Sequence, residues 1–129
     1  MFIRVAVPSP LGDLIDTPLA GSPVIPAVDV LENEQETVVI AETPGVSKED
    51  ISVTFEGDVL TFSGERKAAQ VPDNPRMLMQ EHHDRSFSRS LRILHDVERS
   101  TISASLENGL LRIVLPKAEA AKPRVIEVR

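Results

Sequence analysis

Histidine and serine are the residue types in this sequence with the clearest capacity for catalysis, because histidine can act as a base or bind a metal ion. The histidines are His82, His83 and His95. Adjacent residues on a strand project to opposite faces, so His82 and His83 would not converge on one metal ion. We therefore interpret the histidines as exposed or interface residues, and we predict no metal site.

A serine nucleophile needs a base beside it and often stands in a tight G-x-S-x-G turn, a motif that is absent here. A Ser-His-Asp triad can assemble from distant positions, so a hydrolase stays open as an alternative. The neighbouring acids Glu49 and Asp50 lie beside turn residues, which is typical of a strand start rather than of acid–base catalysis. We predict no catalytic residue and no enzyme.

Nucleotide cofactors also lack a binding motif. The sequence has neither a G-x-x-x-x-G-K-[ST] loop nor a dinucleotide fingerprint, and it has no cysteine. We predict no cofactor, and the lack of cysteine gives no sign of an oxidising compartment.

The charge of the chain argues against nucleic acid and membrane partners. The net charge is −6, whereas affinity for nucleic acid comes largely from Lys and Arg. Residues 26–65 carry ten acids and one base, and residues 66–129 carry twelve bases and eight acids. This asymmetry indicates a solvated surface or, alternatively, two copies that meet with opposite charge. The apolar runs are too short to span a bilayer, and Pro8 and Pro10 interrupt a secretory signal, so we expect a cytoplasmic protein.

Strands must position these residues, because apolar residues recur at every second position along most of the chain. The core would depend on Val, Ile and Leu, since the chain has four Phe and no Trp or Tyr. Six or seven short strands predict an all-β antiparallel sandwich. The alternating sets are Val28/Val30, Val38/Ile40, Ile51/Val53/Phe55, Leu60/Phe62, Phe87/Leu91/Ile93, Ile102/Ala104/Leu106 and Leu111/Ile113/Leu115.

The connections between strands have their own signals. Asn108-Gly109 predicts a type I′ hairpin turn, since both residues tolerate positive φ. Five prolines among the first 26 residues predict an irregular arm over 1–25. A polar loop interrupts the strands over 66–80, and its end, Met77 to Gln80, could form a short strand. A loop of this length usually has a function.

The end of the chain carries an apolar pair, Ile126 and Val128, after a stretch interrupted by Pro123. Residues two apart on a strand project from the same face, so this pair could add to an exposed sheet edge and fill neighbouring pockets. Packing of the tail against its own domain is the alternative.

A family resemblance supports the edge-binding interpretation. The run A-S-L-E-N-G-L-L over 104–111 resembles the A-x-x-x-n-G-x-L signature of the small heat-shock protein (α-crystallin) family, and R-I-V-L-P-K extends the match. Other family elements follow in the same order, and the similarity covers about residues 26–129. These elements are P-A-V-D-V near 26–30, A-E-T-P-G-V-S-K-E-D-I-S-V at 41–53, L-T-F-S-G-E-R-K at 60–67, F-S-R at 87–89 and I-x-V at 126–128.

The resemblance implies an immunoglobulin-like sandwich, the α-crystallin domain, over 26–117, with an irregular arm over 1–25 and a flexible tail over 118–129. It also implies an ATP-independent holdase, which binds unfolding client proteins, limits their aggregation and is regulated by reversible oligomerisation. A co-chaperone or adaptor with one specific protein partner is the alternative function.

The resemblance also implies the binding sites. The tail pair, Ile126 and Val128, would dock into a groove between two edge strands of a neighbouring subunit. The groove residues would be Ile51, Val53, Phe55, Ile102, Ala104 and Leu106.

The dimer would form by swapping a short strand at about 77–82, which makes Met77, Leu78 and Met79 interface residues. Arg89 matches the arginine of the family's F-x-R motif at the dimer interface. Alternation places it on the face of Phe87 and Leu91, where a buried charge needs a partner. The arm offers Phe2 and Ile3 as contacts. It is shorter and poorer in Phe than is common in the family, which weakens the expectation of large cages and strong client capture.

Overall fold

The protein folds as a sandwich of two four-stranded sheets. The structure is a computed structural model that describes residues 3–4, 25–68, 70–79, 81 and 86–129. The strands are β1 (Ile3–Arg4), β2 (Val28–Glu32), β3 (Glu36–Glu42), β4 (Ile51–Glu56), β5 (Val59–Glu65), β6 (Ser86–Arg92), β7 (Ser103–Glu107) and β8 (Leu110–Pro116). Short 3-10 helices cover Lys48–Asp50, Arg99–Thr101 and Glu119–Ala121.

The strand order is β1-β4-β5-β6 in the first sheet and β2-β3-β8-β7 in the second. Every pairing is antiparallel except that between β1 and β4, which is parallel. The all-β sandwich expected from the two-residue periodicity is therefore confirmed.

The core lies between the sheets and is built from aliphatic residues with a few phenylalanines. Phe55 and Phe62 from the first sheet, and Ile113 and Leu115 from the second, belong to one buried cluster. Burying a side chain of this kind stabilises the fold by about 1.5–3 kcal/mol. Three phenylalanines, Phe55, Phe62 and Phe87, belong to this core, and β-branched and leucine side chains fill most of the rest.

Strand β3 has the opposite phase to the one predicted. Val38 and Ile40 are only half-buried, whereas Val39 and Ala41 are completely buried. The register explains the error, because Val39 is paired with the core residue Ile113 of β8. The run T-V-V-I-A is apolar on both faces, so alternation along this strand alone could not decide which face turns inward.

The hairpin between β7 and β8 turns at the predicted residues. Asn108 has φ 52° and Gly109 has φ 76°, so both central residues adopt the left-handed conformation that the turn requires. The turn also contacts the strand end after β3, since the Thr43 backbone N–H donates to the Gly109 carbonyl at 2.7 Å. The sequence prediction of this hairpin is confirmed.

Two predicted segments differ from expectation. The arm was expected to be irregular, yet Ile3–Arg4 forms β1 on the edge of β4. The described part of the arm and linker, residues 3–4 and 25–27, has no other regular element. Met77–Met79 does not form a strand in the single chain, and Gln80 lies outside the described residues. A strand needs a partner for its backbone hydrogen bonds, and none of the described strands pairs with this segment.

Candidate functional site

The end of β4 lies close to the segment that precedes β7. Arg99, in the 3-10 helix that precedes β7, lies 4.8 Å from the ring centroid of Phe55 on β4. Its guanidinium also donates a hydrogen bond to the Gly57 carbonyl, just after β4. A cation over an aromatic face is stabilising, so Arg99 links the end of β4 to the start of β7 across the two sheets.

The two strands contribute differently to the predicted groove. Ile51, Val53 and Phe55 of β4 are part of the buried core. From the β7 side, Ile102, Ala104 and Leu106 are half-buried and pack against that core. The predicted groove residues on the β7 side are therefore the more accessible ones, and those of β4 are enclosed in the core.

In the single chain, part of the β4 edge is occupied. Ile3 is paired with Val53 and Arg4 with Thr54, in parallel register. Phe2, the other predicted arm contact, lies outside the described residues. A parallel strand at this position takes up backbone hydrogen-bonding groups of β4, which are the groups that an incoming extended segment would need.

The predicted tail anchor is fully available for binding. Ile126 is 85% exposed and Val128 is 93% exposed, and residues 123–129 have no regular secondary structure. The tail of this chain therefore does not pack its apolar pair against its own sandwich.

The predicted dimer segment is equally exposed. Met77, Leu78 and Met79 are 67%, 81% and 76% exposed. Exposed apolar residues grouped in this way mark an interaction site more often than a stable solvated surface. His82 and His83, farther along the predicted swapped segment, lie outside the described residues.

Arg89 connects the two sheets. It is half-buried on β6, and its register partner on β5 is the core residue Phe62, as alternation predicted. Its Nη1 donates a hydrogen bond of 2.7 Å to the carbonyl of Pro26, a buried residue two positions before β2 begins. Arg89 therefore fixes the point at which the chain enters the edge strand β2.

The third histidine has a structural contact that its position in the sequence does not indicate. His95 Nδ1 lies 3.0 Å from the Asp96 carbonyl, and Nε2 lies 2.7 Å from Thr37 Oγ1. A carbonyl only accepts, so Nδ1 carries the proton and, in the neutral ring, Nε2 accepts from the threonine hydroxyl. His95 thus anchors its loop to β3, and this contact spans too much sequence for a local signal to reveal it.

Two carboxylates have perturbed acidity. The hydrogen bond from Lys117 Nζ, at 2.7 Å, together with its positive charge, lowers the pKa of Glu32. Hydrogen bonds from the Ser100 hydroxyl and backbone N–H lower the pKa of Glu98. Both are surface contacts of strand and helix ends, and among the described residues no group of three His, Asp or Glu side chains could hold a metal ion.

No helix in the described part of the chain is both long and apolar enough to span a membrane.

The described residues thus form an all-β sandwich that leaves two apolar segments exposed. Comparison with known proteins identifies the family. Residues 29–129 match the model of the Hsp20/alpha crystallin family, and the chain belongs to this family. Membership supports a chaperone role.

The relatives are small heat shock proteins from several kingdoms. The chain is 32% identical over 105 residues to small heat shock protein C2 of Rickettsia felis, covering 81% of this chain and 68% of that protein. It is 37% identical over 99 residues to a 16.9 kDa class I heat shock protein of Triticum aestivum, covering 76% and 66%. The chain spans only about two thirds of the length of these relatives. The share is 68% for the Rickettsia protein and 62% for a further relative, the spore protein SP21 of Stigmatella aurantiaca.

Solved structures show the same fold. Heat shock protein 16.0 of Schizosaccharomyces pombe superposes with a TM-score of 0.70 at 32% identity, covering 82% of this chain and 96% of that one. A small heat-shock protein of Xylella fastidiosa gives 0.67 at 30% identity, covering 84% and 99%.

Proposed function

We propose that this protein is an ATP-independent holdase chaperone of the cytoplasm, which binds partly unfolded proteins, limits their aggregation and is regulated by reversible self-assembly. The observation that carries the proposal is the strong exposure of two apolar segments, Met77–Met79 and Ile126–Val128, beside a sandwich with a closed core. Family membership supports it. A holdase needs apolar surface that can be covered and uncovered, and it needs no catalytic residue.

The tail of one copy would dock at the β4 and β7 edges of another. Covering Ile126 and Val128 would contribute roughly 1.5–3 kcal/mol each. Ordering the tail backbone would cost about 1–2 kcal/mol per residue, so a single docked tail is marginal. Several tails in one assembly raise the effective concentration and hold it together without new contacts. Heat or dilution would then release tails and expose the groove to client proteins.

The loop segment would form the dimer. β2 is an edge strand of the second sheet, and four of its five residues are exposed. Met77–Met79 of a partner copy could pair with this edge, since unpaired backbone groups on an edge recruit extended segments. Such pairing would cover Val30 and Leu31, which are exposed apolar residues of β2.

The test combines an aggregation assay with a mass measurement. The protein without nucleotide should suppress the thermal aggregation of an unrelated enzyme, as followed by light scattering. Replacing Ile126 and Val128 together with Ala should reduce the mass of the assembly in multi-angle light scattering. Val125→Ala is the matched control, because Val125 is also exposed but lies outside the I-x-V spacing.

Each result has a clear meaning. A mass that is unchanged in the double variant would contradict tail docking. Failure to suppress aggregation at equimolar protein would contradict the holdase function and favour an adaptor with one specific partner.

A further inference from the structure

The strand β1 occupies the edge at which the tail is proposed to dock. Ile3 and Arg4 are paired with Val53 and Thr54, in the middle of β4. A second extended segment cannot take the same backbone hydrogen-bonding groups at the same time. Docking of a tail at this position on β4 therefore requires that β1 leave.

The two segments also share a sequence pattern. The sequence has I-R-V at positions 3–5 and I-E-V at positions 126–128. In strand addition, backbone hydrogen bonds provide affinity that is independent of sequence, and alternate side chains provide specificity. Two segments with branched residues at the same spacing therefore meet the same requirements of one edge.

We propose that the N-terminal I-R-V segment and the I-E-V tail are alternative occupants of the β4 edge, so that each chain carries its own competitor against tail docking. This inference rests on the proposed docking of the tail at that edge. Because the N-terminal segment is covalently attached to the sandwich, it competes at a fixed effective concentration that does not depend on protein concentration. Tail docking becomes favourable only when many tails are gathered in one assembly.

The middle residue of each segment distinguishes the two occupants. Arg4 is positive and Glu127 is negative. Arg4 is paired with Thr54, and the next residue on that outer face of β4 is Glu56. The acid on β4 therefore favours a basic middle residue over an acidic one, and salt should reduce the preference.

The competition can be measured with a peptide. The probe is a fluorescein-labelled peptide of residues 121–129, A-K-P-R-V-I-E-V-R, and its binding is followed by fluorescence anisotropy. The receptor is the full chain with Ile126→Ala and Val128→Ala, so that its own tail does not compete with the peptide. Adding Ile3→Ala and Val5→Ala should tighten peptide binding about three- to tenfold, because a weakened tethered competitor leaves a larger fraction of edges open. Leu11→Ala with Leu14→Ala is the matched control for apolar loss elsewhere in the arm.

A second readout follows the edge itself. Hydrogen exchange at the amides of residues 53–55 should accelerate when Ile3 and Val5 are replaced, and excess peptide should restore protection. A peptide with Glu127→Arg should bind more tightly than the native peptide at low salt.

Three results would overturn the proposal. Equal peptide affinity for both receptors would refute the competition and leave tail docking intact. Unchanged exchange at 53–55 would show that β1 does not cover the edge. Binding to neither receptor would refute tail docking itself, and the competition with it. None of these results depends on the aggregation assay, so failure of the holdase function would be recognised separately.

Discussion

Replacement of Arg89 by Ala should weaken both the fold and the dimer. The substitution removes the 2.7 Å hydrogen bond to the Pro26 carbonyl, which holds the chain where it enters β2. A hydrogen bond to a charged group contributes about 1.5–3 kcal/mol, and an acceptor that is left partly buried adds to the loss. For a domain of this size, a loss of about 2 kcal/mol lowers Tm by roughly 8–16 °C. Because β2 is the proposed receptor of the partner's loop, the dimer dissociation constant should rise about tenfold, which corresponds to about 1.4 kcal/mol.

The assay is thermal unfolding followed by circular dichroism at equal protomer concentrations, with sedimentation equilibrium for the dimer. Matching the concentration matters because association itself raises Tm. Arg89→Lys keeps the charge and most of the stem but loses the planar fork, so its loss should be intermediate. Arg112→Ala is the control, since Arg112 is exposed on β8 and most surface substitutions stay within about 0.5 kcal/mol.

Two results would refute this reasoning. If Arg89→Ala unfolds at the temperature of the parent protein, the link to Pro26 contributes nothing to stability. If Arg112→Ala is as damaging as Arg89→Ala, the effect comes from net charge rather than from a specific hydrogen bond.

Two further substitutions test the packing and the surface electrostatics. Gly64→Ala would place a Cβ 2.7 Å from Phe87 Cζ and 2.9 Å from the Asp50 carbonyl oxygen, so overpacking should cost about 1–3 kcal/mol in urea unfolding. Glu32→Gln should lower stability at neutral pH, because the Lys117 hydrogen bond and charge lower the pKa of Glu32 from its ordinary value of 4.5. A carboxylate whose pKa is lower in the folded than in the unfolded state stabilises the protein at pH values above its unfolded pKa. That stabilisation is lost as the pH falls through the folded pKa. The difference from the parent should therefore shrink below pH 4.5 and then disappear, as pH-dependent urea titrations would show.

Each of these substitutions has a control. Ser63→Ala alters the neighbouring residue of β5 without adding a Cβ, and a similar loss there would contradict the steric explanation for Gly64. Asp29→Asn removes another exposed carboxylate of β2. If Asp29→Asn shows the same dependence of stability on pH as Glu32→Gln, that dependence comes from net charge and not from the ion pair between Glu32 and Lys117.

The sequence predicts best where the signal is local. Asn108-Gly109 specifies its own turn, and the alternation of Leu111, Ile113 and Leu115 in β8 places the core face correctly. Strand β3 fails because its run is apolar on both faces, and only its register with β8 decides the phase. The sequence also fails to predict strand β1. Its pairing joins residues 3–4 to residues 53–54, and a two-residue strand is too short to show a periodic pattern.

The site follows the same division. The exposed anchor at Ile126 and Val128 could be predicted from spacing and resemblance, because a tail carries its own binding residues. The location of Arg99 over Phe55 could not, because it depends on how the two sheets stack. Docking of the tail at the β4 and β7 edges stays a prediction, as does the swapped segment.

The uneven charge of the chain acquires a physical role once the edges are located. Strand β2 and strand β4, the proposed receptors of the incoming segments, both lie in the acidic region 26–65. Each candidate occupant brings arginine, with Arg4 in the N-terminal segment, Arg76 before Met77, and Arg124 and Arg129 around the tail anchor. Opposite charge steers encounter and suppresses wrong pairings more than it adds affinity. Once charge has guided a segment to the edge, its apolar residues hold it there. Salt should therefore lower the rate of assembly more than it raises the rate of dissociation of a completed assembly.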